Sequence, residues 1–130
     1  AYHATMPTDA LRAFRDVMQE TEQYGFDKLK VLQQELGDRV RALLAARAIK
    51  SVAAKGFEAP GVVVAYTDDP GIQNGKKFLD LGIQIAAGVP LQCNEPEDFQ
   101  TFRLGLFGLD KLQNIERTVE TLEKALAKIT

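Results

Sequence analysis

Two short segments near opposite ends of the chain carry residue types that could bind an anionic ligand. Tyr2 and Thr5 stand in an opening segment without a helix or strand pattern, where their hydroxyls could donate hydrogen bonds to a phosphate. Arg103 stands in the segment 102–108, which otherwise predicts a buried strand. A guanidinium can hold a carboxylate at two points, and each charge-assisted contact is worth roughly 1.5 to 3 kcal/mol. Both segments therefore predict anion binding.

The strand pattern also predicts where Arg103 points. Side chains alternate along a strand, so Arg103 shares a face with Gly105, which would leave space beside the guanidinium. That geometry suits a small anion. Two simpler interpretations remain open: Arg103 can be an edge-strand residue paired with a surface acid, and Tyr2 and Thr5 can belong to a frayed, solvated terminus.

Other apparent motifs do not predict chemistry. His3 is the only histidine, which excludes a multi-histidine metal site, and it is assigned no role. The segment 71–77 resembles a P-loop, but Lys77 stands where Ser or Thr is required, so it predicts a turn opening a helix. Cys93 predicts a free thiol, since no second cysteine is present.

The acidic residues Glu95, Glu97 and Asp98, with Pro96 between them, predict a solvated, flexible loop that could lie over a cleft.

The composition predicts one domain in a reducing compartment. A chain of 130 residues, 45% of them hydrophobic, can bury roughly two-thirds of the surface that its unfolded form exposes. A net charge of −2 argues against nucleic-acid and acidic-membrane partners, because either calls for clustered cationic surface. With one cysteine, no signal peptide and no long apolar span, the sequence predicts a cytoplasmic protein. Since no initiator methionine precedes Ala1, we also expect a fragment of a longer chain.

The apolar periodicity predicts two helices followed by strands mixed with helices. The first helix has its N-cap at Thr8 or Asp9 and ends at Gly25. The second opens near Asp27 and carries Gly37, which predicts a bend or a close neighbour. Strands are predicted at 49–52, 61–67, 83–85 and 102–107, with 61–67 central, and helices at 75–81 and from a capping box at 110–113. This order indicates an α+β fold with a small mixed sheet covered by helices, mainly on one face. Residues 1–48 are predicted to hold the opening segment and long helices, and 49–130 a small C-terminal domain, together one structural unit.

Three segments occur in the order and at the spacing found in one enzyme family. They are Tyr2-His3-x-Thr5-x-Pro7 before a helix, the strand Gly61 to Thr67, and Phe102-Arg103-Leu104-Gly105-Leu106 before an amphipathic helix. The chain thereby resembles, over essentially its whole length, the C-terminal part of a class V pyridoxal-phosphate-dependent aminotransferase of the alanine-glyoxylate or serine-pyruvate type. The resemblance implies the small C-terminal domain of fold-type I enzymes. Class V desulfurases and lyases share that fold but usually show other residues around the arginine.

The resemblance implies transfer of an amino group between a small amino acid, alanine or serine, and a keto acid, glyoxylate or pyruvate. It assigns Tyr2 and Thr5 to the phosphate of pyridoxal 5'-phosphate in the neighbouring subunit of a homodimer, and Arg103 to the substrate's α-carboxylate. An amino acid held by its carboxylate presents its amine and α-proton to the cofactor in a fixed pose. The stretch 89–98 is more acidic than the family's glycine-rich loop, which leaves the amino donor and acceptor open.

The chain lacks the family's Schiff-base lysine, which the resemblance places upstream of Tyr2, together with the aspartate that pairs the pyridine nitrogen. None of the following lysines lies in a sequence context that matches the family's Schiff-base lysine: Lys28, Lys30, Lys50, Lys55, Lys76 and Lys77. We therefore expect no catalytic residue in this chain, no bound cofactor, and no activity without the rest of the enzyme. Two other functions stay open: a stand-alone α/β module that binds a small carboxylate through Arg103, and a structural domain that dimerises through its amphipathic helices.

Overall fold

The computed structural model describes residues 4–129, so Tyr2 and His3 lie outside the described residues. The chain divides into an N-terminal unit, Ala1–Val31, and a C-terminal unit, Leu32–Thr130. The division that the sequence predicts, between residues 48 and 49, stays a prediction.

The N-terminal unit is helical. Helix α1 covers Thr8–Tyr24 and ends at Gly25, whose φ of 101° suits glycine. Helix α2 follows directly, covers Phe26–Ala45, and so continues into the C-terminal unit. The predicted end at Gly25 is confirmed, whereas the predicted N-cap at Thr8 or Asp9 is wrong, because the N-cap position is Pro7 and no side chain caps the helix.

The C-terminal unit contains a three-stranded sheet in the order β1-β3-β2. The strands are β1, Val62–Tyr66; β2, Ala86–Ala87; and β3, Thr101–Gly105. Arg103 of β3 lies opposite Val64 of β1 on one side and Ala86 of β2 on the other. The α+β class is confirmed. The central strand is β3 rather than the predicted 61–67, and both pairings are antiparallel where the sequence predicts a mixed sheet.

Two predicted strands are shorter or shifted. The segment 49–52 makes only an isolated bridge, Ser51 opposite Ala65. The predicted strand 83–85 is not formed, and β2 begins at the next residue, Ala86.

Four further helices follow β1 in the chain: α3, Pro70–Gln73; α4, Lys76–Leu79; α5, Leu109–Gln113; and α6, Ile115–Ile129. The predicted capping box is wrong, because α5 starts after Gly108 without a side-chain cap. Within residues 4–129, no helix is both long and apolar enough to cross a membrane.

Apolar side chains of α2, α4 and α6 cover one face of the sheet. Leu36 and Val40 of α2 are fully buried, as are Phe102 of β3 and Phe78 of α4, whose ring centroids lie 5.9 Å apart. Burial of each such side chain stabilises the fold by roughly 1.5 to 3 kcal/mol. An ion pair joins α2 to α6, Arg39 with Glu116 at 2.8 Å, and a second joins the turn after α2 to α6, Arg47 with Glu123 at 3.7 Å.

Helix α2 comes very close to the loop before β1 at Gly37. A Cβ built on Gly37 would lie 2.7 Å from the carbonyl oxygen of Pro60. From one turn earlier, Gln33 Nε2 donates to the same oxygen at 3.2 Å and to the carbonyl of Leu106 at 3.3 Å. The close neighbour predicted at Gly37 is confirmed, and α2 thereby positions the start of β1.

Candidate functional site

Arg103 lies on the face of the sheet opposite the covering helices. Its neighbours along β3, Phe102 and Leu104, are only 1% and 4% exposed, whereas Arg103 is half-buried on the other side. The alternation that the sequence predicts is therefore confirmed. Because directly opposed residues share a face, this outer face of the sheet contains Val62, Val64, Tyr66, Ala86, Thr101, Arg103 and Gly105.

The simple explanation of Arg103 as an edge residue paired with a surface acid is wrong. β3 is the central strand, with a hydrogen-bonded neighbour on each side. Among residues 4–129, Arg103 forms no ion pair. A cation in this position that lacks a counter-charge among the described residues is suited to bind an anionic ligand.

One hydrogen bond sets the orientation of the guanidinium. Arg103 Nε donates to the carbonyl oxygen of Ala87 in β2 at 2.9 Å. Within the described part of the chain, Nε is the one guanidinium nitrogen of Arg103 with a hydrogen-bond partner. Because the guanidinium is planar, fixing Nε also fixes the plane of Nη1 and Nη2. These two nitrogens form a donor pair that can bind both oxygens of one carboxylate.

The surroundings of Arg103 are apolar and partly exposed. Val62, Tyr66 and Phe107 are 37%, 43% and 64% exposed. A Cβ built on Gly105 would lie 3.2 Å from Cε1 of Phe107, so the aromatic ring fills the space that the sequence predicts there. The small side chain next to the guanidinium is Ala86, directly opposite on β2. Apolar neighbours lower the local dielectric constant, which strengthens a charge-assisted hydrogen bond.

Gly88 holds β2 against β3 and so positions the acceptor of Arg103. A Cβ built on Gly88 would lie 1.7 Å from the carbonyl oxygen of Thr101, a distance at which no side chain fits. Two hydrogen bonds join Gly88 to Gln73: the Gly88 N–H donates to Gln73 O at 3.1 Å, and Gln73 Nε2 donates to Gly88 O at 3.0 Å. The position of Ala87, and with it the orientation of Arg103, depends on this close approach.

The loop between β2 and β3 is organised by Glu95. Its carboxylate accepts the backbone N–H groups of Leu91, Gln92 and Cys93 at 2.6, 2.8 and 2.7 Å. These bonds, the one from Cys93 above all, lower the pKa of Glu95 to about 2. The prediction of a solvated acidic run is wrong for Glu95, which is half-buried, and confirmed for Glu97 and Asp98, which are exposed.

The other residues singled out by the sequence show no reactive geometry. Cys93 is exposed, and desolvation together with Glu95 raises the pKa of its thiol, as suits an unreactive cysteine. The predicted turn is limited to Asn74 and Gly75, since residues 71–73 belong to α3 and α4 begins at Lys76; Lys77 of α4 pairs with Asp69. Within residues 4–129, no group of three or more His, Cys, Asp and Glu side chains could hold a metal ion.

The predicted phosphate-binding residues lie in the other unit. Thr5 is exposed in the N-terminal unit, and Tyr2 lies outside the described residues. Arg103 belongs to the C-terminal unit, and each unit is described by itself. The assignment of Tyr2 and Thr5 to a cofactor phosphate in the neighbouring subunit therefore stays a prediction.

Sequence reasoning missed two residues that support Arg103. Ala87 accepts the Arg103 hydrogen bond with its backbone carbonyl oxygen. Every residue type has this oxygen, so the identity of Ala87 does not indicate its role. Gly88 follows a short apolar run, and a glycine in that position is a known signal of close backbone approach. That signal could have placed a strand at 86–87.

Comparison with known proteins identifies a fold. No protein-family model matches the chain, and no curated protein sequence matches it significantly. Among solved structures, the chain matches the crystal structure of an alanine–glyoxylate aminotransferase from Nostoc sp., with a TM-score of 0.72 and 18% sequence identity. The match covers 97% of this chain and 33% of that one, so the chain spans about a third of that protein's length. The chain therefore has the fold of one segment of an alanine–glyoxylate aminotransferase.

Proposed function

We propose that this chain is the C-terminal part of a pyridoxal-phosphate-dependent aminotransferase that moves an amino group between alanine or serine and glyoxylate or pyruvate. The observation that carries the proposal is Arg103, a cation on the central strand whose two terminal nitrogens have no partner among residues 4–129. The fold shared with a segment of an alanine–glyoxylate aminotransferase supports it.

In this proposal, Arg103 binds the α-carboxylate of the substrate. Nη1 and Nη2 each donate to one carboxylate oxygen, while Nε stays bound to Ala87. Two simultaneous contacts fix the rotation of the carboxylate as well as its position, and so direct the amine and the α-proton toward the reacting centre. The apolar residues Val64 and Ala86 on either side offer no competing polar partner.

In this proposal, the chain helps to bind the phosphate of pyridoxal 5'-phosphate but does not supply the reactive lysine. The cofactor supplies the electron sink for amino-group transfer. Thr5, whose side chain is exposed, and Tyr2 would donate hydroxyl hydrogen bonds to its phosphate in the neighbouring subunit of a homodimer. The reactive lysine would come from a preceding part of the same cytoplasmic enzyme, so the 130-residue chain by itself is inactive in this proposal.

Titration of the chain with pyruvate and glyoxylate tests the role of Arg103. We expect backbone amide NMR signals of Ala86 and Ala87 to shift saturably, with dissociation constants on the order of millimolar for one bidentate contact. Arg103→Lys keeps the charge but loses the planar donor pair, so affinity should fall roughly tenfold. Arg39→Lys is the matched control, since Arg39 pairs with Glu116 at the surface and should leave the titration unchanged. Equal binding by native chain and Arg103→Lys would remove Arg103 from the site.

A second candidate, a stand-alone module that binds small carboxylates, is favoured by the same unpaired guanidinium. It needs no lysine and no cofactor. Saturable carboxylate binding fits both functions, whereas amino transfer by a longer protein that contains this chain fits only the aminotransferase. That activity assay therefore separates the two.

A further inference from the structure

A cavity of about 240 Å³ lies on the covered face of the sheet, away from the guanidinium of Arg103. Leu104 of β3 lines this cavity; it follows Arg103 in sequence, but its buried side chain lies on the opposite face of the strand. Helices α2 and α6 contribute Val40 and Leu122. All lining residues belong to the C-terminal unit. The cavity is therefore distinct from the candidate site at Arg103.

The walls of the cavity are aliphatic. Six branched side chains form them: Val40, Ile83, Ile85, Leu104, Leu106 and Leu122. Liquid water occupies about 30 Å³ per molecule, so the cavity has room for roughly eight groups of that size. Walls of this kind offer water few hydrogen-bond partners, and such cavities admit apolar molecules instead. The part of a ligand that enters the cavity is thus small and aliphatic.

The mouth of the cavity carries one positive charge without a counter-charge. Asp110 and Arg117 line the mouth and pair with each other at 2.8 Å, with side chains 80% and 59% exposed. Lys111 also lines it, is half-buried, and forms no ion pair within residues 4–129. Among the described residues, its Nζ donates only to the carbonyl oxygen of Phe107, at 3.3 Å, although an ammonium group has three donors.

We propose that this cavity binds a small aliphatic monocarboxylate, whose carbon chain packs against the walls and whose carboxylate pairs with Lys111. The carboxylate supplies the negative charge that the mouth lacks, and the aliphatic chain leaves water for an apolar surrounding. Gln84 lines the cavity with an exposed amide that has no hydrogen-bond partner among residues 4–129, so it can donate to the second carboxylate oxygen. The inference does not rest on the proposed enzymatic function.

Titration of the chain with isocaproate, a branched aliphatic acid, tests the proposal. Methyl NMR signals of Val40 and Leu122 should shift saturably, with a dissociation constant on the order of 1 mM. Isocaproamide has the same carbon chain without the charge, and should bind about tenfold more weakly. Acetate has the charge without the chain, and should not shift these signals at the same concentration. These comparisons use the native chain and need no substitution.

Substitution of Lys111 assigns the carboxylate to the mouth of the cavity. Lys111→Met should bind isocaproate about tenfold more weakly than the native chain does, and isocaproamide equally well, because only the acid loses a partner. Lys55→Met is the matched control: it removes the same charge from an exposed lysine outside the cavity and should leave both titrations unchanged. Circular dichroism establishes that both variants keep their helix content.

A third substitution separates this cavity from the site at Arg103. Arg103→Lys should leave the isocaproate shifts of Val40 and Leu122 unchanged, since Arg103 lies on the other face of the sheet. Pyruvate binding at Ala86 and Ala87 can succeed or fail independently of these shifts.

Three results would overturn the inference. Absence of saturable shifts of the two methyl signals would make the cavity a packing gap without a ligand of this class. Equal affinity for acid and amide in the native chain, or unchanged isocaproate affinity in Lys111→Met, would show that the carboxylate does not pair with Lys111. Loss of the shifts in Arg103→Lys would place the acid at Arg103 instead.

Discussion

Replacement of Gly88 by alanine is predicted to separate β2 from β3 and to release Arg103. The added Cβ would lie 1.7 Å from the carbonyl oxygen of Thr101, whereas ordinary contact begins at 3.4 Å, so the backbones must move apart by roughly 1.7 Å. That movement breaks the bond from Arg103 to Ala87, at 2.9 Å, and the two bonds between Gly88 and Gln73, at 3.1 and 3.0 Å. At about 1 kcal/mol for each of these bonds, Gly88→Ala should lower the free energy of unfolding by about 3 kcal/mol.

Urea denaturation followed by circular dichroism measures this loss. With an m-value of about 1.5 kcal/mol/M for a chain of this size, the midpoint should fall by roughly 2 M. Gly61→Ala is the matched control: its Cβ would lie 3.9 Å from the Gln33 side chain, an ordinary contact, so the midpoint should change by less than about 0.3 M. The Arg103 Nε–H NMR signal should also lose its protection from exchange in Gly88→Ala. A native-like midpoint and a protected signal would refute the close approach of β2 to β3.

Three further substitutions give distinct outcomes. Gly37→Ala gains about 1 kcal/mol in helix propensity but crowds Pro60 O at 2.7 Å, so we expect a net loss of about 1 kcal/mol; stabilisation in urea denaturation would contradict the packing. Because the pKa of Glu95 is lowered from 4.5 to about 2, its carboxylate stabilises the fold above about pH 4.5 and this contribution disappears as the pH falls toward 2. Urea midpoints should therefore fall less steeply over that range in Glu95→Gln, and parallel curves would oppose this role. Arg103→Lys should change the free energy of unfolding by less than about 1.5 kcal/mol, since only the bond to Ala87 is at stake; a larger change would make Arg103 a structural residue.

Local patterns in the sequence predict those parts of the fold that depend on neighbouring residues. The alternation of residues 102–107 places Arg103 on the face opposite Phe102 and Leu104, as the structure confirms. Gly25 ends α1 because few other residues adopt a φ of 101°. These features follow from side-chain periodicity and backbone sterics, which act over a few residues.

Features that depend on distant pairing were not predictable in this way. Whether β1 or β3 is central depends on which strands meet across long separations in sequence, and β2 consists of only Ala86–Ala87, too short for any periodicity. The role of Glu95 depends on three backbone N–H groups brought together by a turn, which residue types alone do not reveal. The candidate site was therefore predictable at Arg103, and the glycine at position 88 signals a close backbone approach, but the role of the Ala87 oxygen does not follow from residue types.

The most direct test of Arg103 as the carboxylate-binding residue of an aminotransferase uses a longer protein that contains this chain. The quantity to measure is its kcat/KM for alanine, with glyoxylate as acceptor and pyridoxal 5'-phosphate present. We expect amino transfer by the native protein and a decrease in kcat/KM of roughly tenfold or more in Arg103→Lys, because loss of one charge-assisted contact of about 1.5 kcal/mol or more corresponds to that factor. Arg39→Lys should leave kcat/KM unchanged. No transfer by the native protein, or equal kcat/KM in Arg103→Lys, would contradict the assignment of Arg103 as the carboxylate-binding residue of an aminotransferase.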